Sequence, residues 1–327
     1  MNYTMYKPND TAFTDANSLL TKHCPCGVKS GNTCPFTNSN QDISCSNEYP
    51  HLTLYYDVTT TSAATQLWLT AWSGNFGEIM FDDGTFIKTT QPYKYAKHVF
   101  PTLGIHWVKL YNEKAKITEI PGSWFENCTR LIKVEGCQDV RIVNYRSFQN
   151  CTNLESIDLT EKCQDYKTTA FSNCPKLTNF GHNPVVLNPS SHVLDHQNNG
   201  DSNFYNSGVQ EIVVSGITHF NGQNTFENCK NLRKVTFTGC TNSGFGWAVF
   251  NGCTALDDFI LDNVTPPTMN AISTTFNNTH CIFYVPKEYF DRYKVATNWK
   301  TFYQQGRLKT IEEYKKKRKI HPDVWRY

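Results

Sequence analysis

Cysteine is the residue of this chain best suited to chemistry, and the thirteen cysteines fall into two groups. In the first, His23, Cys24, Cys26, Cys34 and Cys45 crowd one short stretch near the start. Soft thiolates suit tetrahedral zinc, and a segment too short to build its own core often needs such a clip. The spacing is Cys-x-Cys followed by longer gaps, not the Cys-x2-Cys usual in zinc sites. Disulfides formed in an oxidising compartment are a second reading, and unpaired thiols a third. Cys24, Cys26, Cys34 and Cys45 therefore stand as candidate zinc ligands, and no other cofactor is expected.

The second group is periodic. Phe125-Glu-Asn-Cys128-Thr-Arg-Leu131 is followed by Phe148-Gln-Asn-Cys151-Thr-Asn-Leu154 and Phe171-Ser-Asn-Cys174-Pro-Lys-Leu177. The phrase returns as Phe226-Glu-Asn-Cys229-Lys-Asn-Leu232 and Phe250-Asn-Gly-Cys253-Thr-Ala-Leu256, with a shortened copy at Phe204-Tyr-Asn-Ser207. A period in the twenties predicts a solenoid whose units bury their apolar faces only by stacking on one another. Each unit runs on into alternation, as in Leu154-Glu-Ser-Ile157-Asp-Leu159 and Leu232-Arg-Lys-Val235-Thr-Phe237, which predicts a strand with one buried face. These cysteines are expected to pack as small hydrophobes in a column, since Ser207 replaces one of them. The asparagines suit a tight turn and can bond from coil to coil. The Asn-Cys-Thr triplets at Asn127 and Asn150 match glycosylation acceptors only formally, because they are parts of the repeat.

The phrase Ala/Trp-Phe-x-Asn-Cys-x-x-Leu-x-x-Ile resembles the BspA-type leucine-rich repeat found in gut Bacteroidota, in their phages and in some protists. The resemblance covers about residues 117–285. The run Cys281-Ile-Phe-Tyr-Val-Pro286 to Tyr293, with Trp299, is similar to the ending of many such solenoids. Residues 49–116 resemble, more loosely, a β domain that precedes these repeats in some phage-encoded and Bacteroidota proteins. The resemblance implies adhesion or surface binding rather than catalysis, and it carries no catalytic residue or fixed ligand.

The expected fold is mainly β. Residues 1–48 form a cysteine-containing arm and a candidate anchor. Residues 49–116 form a small all-β, sandwich-like domain, read from His51–Val58, the Asp82-Asp83-Gly84 hairpin and Gly104–Tyr111. Residues 117–302 form a parallel-strand solenoid of about six or seven coils with a helical cap, interrupted by an insert at 181–203. Residues 303–327 form a basic and aromatic tail whose run Lys315–Lys319 reads as a solvated helical extension. Asp57, Asp82 and Asp83 read as turn chemistry ahead of calcium ligands, and His182, His192 and His196 of the insert as solvated.

A net charge of +2 with 18% charged residues argues against a strong nucleic-acid or membrane field. No apolar run is long enough to span a bilayer. A nucleophile elbow, a phosphate-cradling glycine loop and a His-Glu-x-x-His helix are all missing from the sequence, so no enzyme is expected. Met1–Asp10 has neither the basic start nor the apolar stretch of an export signal. The expectation is therefore a virion component, made in the host cytoplasm and associated with capsid or tail, that displays the solenoid to a host or partner. The alternative is a cell-surface adhesin. Partners would be other virion proteins, a surface protein or a glycan, and a homo-oligomer stays open. The candidate recognition residues are the outward strand positions Glu155, Ser156, Asp158, Arg233, Lys234 and Thr236.

Overall fold

The phenylalanine of each repeat phrase drops into the interior, and the next two residues turn the chain. Asn127, Asn150, Asn173 and Asn228 all sit at positive φ, between 58° and 63°. Asparagine accepts this left-handed region better than other side-chain-bearing residues, which is why it recurs there. In the altered copy the position is Gly252, at φ 73°. The phenylalanine rings then stack from coil to coil, with centroids 5.1 Å apart for Phe125 and Phe148 and 5.3 Å for Phe148 and Phe171. The stack continues through Phe204, Phe226 and Phe250 to Phe276.

This is a computed structural model, and it describes residues 4–6, 51–59, 65–67, 76–88, 96–112, 116–195, 200–241, 244–269 and 272–320. Cys24, Cys26, Cys34, Cys45 and His196 lie outside the described residues, as does the stretch 321–327.

The amino-terminal unit comprises β1 (Thr4–Tyr6), β2 (His51–Val58), β3 (Thr65–Leu67), β4 (Phe76–Phe81), β5 (Phe86–Lys88), β6 (Ala96–His98) and β7 (Gly104–Asn112). Five of these form an antiparallel array in the order β1-β5-β4-β7-β2, while β3 and β6 make a separate two-stranded ribbon. Its inward residues, Leu52, Leu54, Tyr56, Ile79, Phe81, Val108 and Leu110, are fully buried.

Each solenoid coil contributes a strand to one side and a shorter strand to the other. The first column contains β9 (Leu131–Glu135), β11 (Ser156–Ile157), β13 (Val185–Leu187), β15 (Glu211–Ser215), β17 (Lys234–Thr238), β19 (Asp258–Leu261), β21 (Ile282–Val285) and β22 (Leu308–Thr310). The second contains β8 (Glu119–Ile120), β10 (Ile142–Val143), β12 (Asp165–Tyr166), β14 (Val193–Leu194), β16 (His219–Phe220), β18 (Gly244–Phe245) and β20 (Thr268–Met269). Strands that pair within a column do so in parallel, and the winding amounts to about eight turns. In the third coil the strand is split. Asn179 bridges back to Ser156, the chain loops through Gly181–Pro184, and β13 then pairs forward with β15. Residues 181–203, read as an insert, thus supply β13 and β14 to the two columns.

The solenoid is joined to the amino-terminal unit edge to edge. β2 pairs antiparallel with β9, so one seven-stranded sheet runs β1-β5-β4-β7-β2-β9-β11 across residue 116. Gly136 makes this approach feasible. It sits at φ 96°, and a Cβ there would lie 2.1 Å from the carbonyl oxygen of His51.

At the far end, α1 (Ile272–Thr275) precedes β21, and α2 (Phe290–Val295) and α3 (Trp299–Gln304) cap the coil. Trp299 is buried and donates its indole N–H to Pro267 O at 2.7 Å, while Tyr293 donates to Asn263 O at 3.1 Å. A final helix, α4 (Ile311–Ile320), starts with reciprocal Thr310–Glu313 bonds, a capping box. It is not solvated on all sides, as the basic run had implied, for Tyr314 is buried.

Candidate binding surface

The inward positions of the first-column strands vary little. Val134, Ile157, Ile212, Val235 and Phe259 all point to the core. Two-residue periodicity sends the residue before each of them outward. Strand register aligns these outward residues into rows. One row runs Trp107–Tyr55–Lys133–Ser156–Asn179, and beyond the split coil it is taken up by Glu211–Lys234–Asp258. A second row runs Val186–Val213–Thr236–Ile260–Tyr284. The first row mixes cations, carboxylates, a hydroxyl, an amide and aromatic rings, whereas the second is largely apolar, broken by the Thr236 hydroxyl.

Of the expected recognition residues, Glu155 and Arg233 are exposed, and Ser156, Lys234 and Thr236 are half-buried. Lys234 lies 3.7 Å from Glu211. Asp158 is committed elsewhere, accepting bonds from Gly136 N and Cys137 N, both 2.9 Å, and from the Gln138 amide. It closes the turn of the coil before it, and Asp262 does the same for Gly239 N at 2.8 Å.

The face continues onto the amino-terminal unit, which strand spacing alone did not reveal. Tyr55 donates to Glu135 at 2.7 Å, and the Lys133 and Lys109 ammonium groups lie over the rings of Tyr55 and Trp107 at 5.2 and 5.3 Å. Burial, then the Glu135 carboxylate, pushes the Tyr55 hydroxyl up to about 12. The signal for this join is the strong alternation of both His51–Val58 and Leu131–Glu135. Their pairing depends on the close approach at Gly136, which no local pattern announces.

The repeat cysteines are thiols that bond as well as pack. Cys151, Cys174, Cys229 and Cys253 donate to Phe125, Phe148, Phe204 and Phe226 oxygens of the preceding coil, at 2.8 to 3.0 Å. Burial pushes Cys174 and Cys229 up to about 12, so they stay protonated. Nucleophilic chemistry needs the thiolate, so these sulfurs are inert. The asparagine ladder forms as expected, with Asn150 donating to Asn127, Asn173 to Asn150 and Asn206 to Asn173. It runs along the outside of the turn, where Asn127 is exposed, and not inside the coil.

In the amino-terminal unit the Asp82-Asp83 hairpin is clamped by histidines. His106 Nδ1 lies 2.9 Å from Asp82 Oδ2, and His98 Nε2 lies 2.9 Å from Asp83 Oδ2. Burial lowers His98, against the pull of Asp83. Among the described residues no group of three or more His, Cys, Asp or Glu is placed to hold a metal ion. His182 is occupied with Pro184 O at 2.9 Å. No helix among the described residues is long and apolar enough to cross a membrane.

The model for the BspA type leucine rich repeat region matches residues 95–196 and 195–279, in six copies. Among solved structures, the chain is similar to the leucine-rich repeat protein TpLRR of T. pallidum, at 17% identity and a TM-score of 0.30. That match covers 59% of this chain and 78% of the other. A leucine-rich repeat protein from Bacteroides ovatus matches at 13% identity and a TM-score of 0.17, over 66% of this chain and 95% of the other. No curated protein matches the chain. With its repeat phrase, parallel columns and family match in agreement, the chain belongs to the BspA-type leucine-rich-repeat family.

Proposed function

We propose that this chain is a non-enzymatic binding protein that offers the outward face of its first-column sheet to a macromolecular partner, a protein or a glycan. One observation carries the reading. The inward residue of each coil is aliphatic or aromatic throughout, while the outward residue beside it changes from Lys133 to Ser156, Asn179, Glu211 and Lys234. A constant interior with a varied exterior is how stacked repeats present an extended recognition surface on a common frame. Family membership supports the same reading.

The setting we propose is a virion, with the protein attached to capsid or tail and the solenoid directed outward. The likeness of residues 49–116 and the repeats to phage-encoded proteins supports it. The second reading is a cell-surface adhesin, and the family match favours it equally. Mass spectrometry of density-purified particles, beside the envelope and cytosol of the host culture, separates the two. Stoichiometric recovery in particles is the expected result. Recovery in the envelope alone would overturn the virion setting and leave the adhesin.

A further inference from the structure

The outward sheet positions are half-exposed on β15 and β17, at Glu211, Val213, Lys234 and Thr236. Farther along these rows, Ile260 and Ile282 stay half-buried, but Asp258 on β19 and Tyr284 on β21 are closed over, at only 7% and 2% exposed. The cover is α4. Its Tyr314 ring lies 4.8 Å from that of Tyr284, over β21. One turn later, Lys317 Nζ reaches Asp258 Oδ1 on β19 at 3.1 Å. The helix therefore crosses the strands, advancing about 4.5 Å per three residues against a strand spacing of about 4.8 Å.

Little holds it there. Tyr314 is buried, but Lys315, Lys316, Arg318 and Lys319 face solvent. Helices shorter than about 12 residues are marginal in water alone, so the order of α4 depends on its capping box and on the Tyr314–Tyr284 and Lys317–Asp258 contacts. Ahead of it along the same row lie Ile260, Thr236 and Val213, with Glu211 beside them. Val213, Thr236 and Ile260, flanked by the Glu211–Lys234 ion pair, thus continue past the stretch that α4 occupies.

We propose that this part of the sheet is a docking face for a basic amphipathic helix carrying an aromatic residue one turn before a lysine. The helix α4 is the occupant built into the chain, and a partner helix of the same pattern reaches the face by displacing it. The paired contacts carry the assignment, for Tyr314 meets Tyr284 and Lys317 meets the Asp258 carboxylate, while the remaining cations of α4 line its solvent side. The inference deepens the sheet-face reading by naming the partner's chemistry and the contact that regulates access.

The test uses the full chain and a fluorescent peptide of residues 308–320. The double substitution Tyr314→Ala with Lys317→Glu loosens α4. We expect the loosened chain to bind the peptide at least tenfold more tightly than the unaltered chain, and Asp258→Lys added to it to abolish binding. Equal binding by both chains, or none by a loosened chain that still melts cooperatively, would overturn the proposal. Hydrogen exchange on the unaltered chain is an independent check. Exchange of α4 amides well ahead of β19 and β21 is expected, and exchange only together with them would count against displacement. The peptide assay needs no outside partner, so a chain missing from particles could still pass it.

Discussion

The thiol of Cys151 donates its proton to the carbonyl oxygen of Phe125, 2.9 Å away and one coil earlier. The same bond recurs between Cys174 and Phe148, so the repeat cysteine is chosen for a short side chain that can fill the column and still donate. Cys174→Ser is expected to keep most of the stability, as Ser207 does in the short copy. Cys174→Val removes one of the two donors to Phe148 O, which keeps the Cys151 N–H at 3.1 Å, so the expected cost is that of one hydrogen bond, about 0.5–1.5 kcal/mol. Urea unfolding of the two variants decides; equal losses would show that packing alone matters.

Alkali should unfold the protein by the same route. Burial raises Cys174 and Cys229 from an ordinary value of 9.0 to about 12 in the folded chain. A raised folded value means the contribution to stability is intact below pH 9 and disappears as the pH climbs from 9 towards 12. Each thiol then costs about 1.4 kcal/mol per pH unit across that window. Denaturation midpoints at pH 7.5, 9 and 10.5 should be level over the first interval and drop over the second. Thiol reagents should find Cys174 and Cys229 silent until the chain is unfolded.

At Asn173 two substitutions separate backbone conformation from the ladder. Asn173→Gly loses the bonds to Asn150 and Asn206 but keeps a residue at ease at φ 58°. Asn173→Ala loses the bonds and strains the backbone as well, so it should be the less stable by about 1 kcal/mol. Thermal melts of the pair, matched in ladder loss, read that difference directly.

Gly136→Ala is the most damaging single change we foresee. The new Cβ would meet the His51 carbonyl at 2.1 Å, from a φ of 96°. Neither the β2 backbone nor the turn held by Asp158 can yield without parting β2 from β9. A loss above about 3 kcal/mol, or two separate melting transitions where the native chain shows one, is the expected outcome. A stability within 1 kcal/mol of native would show the junction to be loose.

Partner binding and stability should divide along the sheet face. Arg233→Glu and Thr236→Lys change exposed or half-buried outward positions and should move stability by no more than about 0.5 kcal/mol while weakening capture of a partner. Asp158→Ala loses the bonds from Gly136, Cys137 and Gln138 and should cost about 1–3 kcal/mol whatever its effect on binding. Calorimetry beside a pull-down with purified surface material tells the two classes apart.

The repeat was readable because one local phrase fixes a whole coil. Phe125 to Leu131 specifies the inward ring, the left-handed turn and the start of the strand, and its recurrence implies stacking. What the phrase could not convey depends on contacts distant in the chain. Pairing of Tyr55 with Lys133 needs a register set by Gly136, and either strand alone would suit several neighbours. Asp158 looked like an outward contact because alternation placed it there, whereas the bare N–H groups of Gly136 and Cys137 claim it. The run Lys315–Lys319 looked solvated because only Tyr314 and Lys317, one turn apart, do the docking. Cys24, Cys26, Cys34 and Cys45, the first candidates for chemistry, stand outside the described residues.

A stack of parallel coils has two raw ends, each a row of unsatisfied peptide groups able to recruit another molecule. Here β2 closes the row beyond β9, while β22 and the cap helices close the row beyond β21. Neither β9 nor β21 is therefore a bare edge onto which another molecule's coil could stack directly. Lengthening the solenoid would take duplication of a coil between Phe125 and Phe276, where every new unit finds a matching neighbour on both sides.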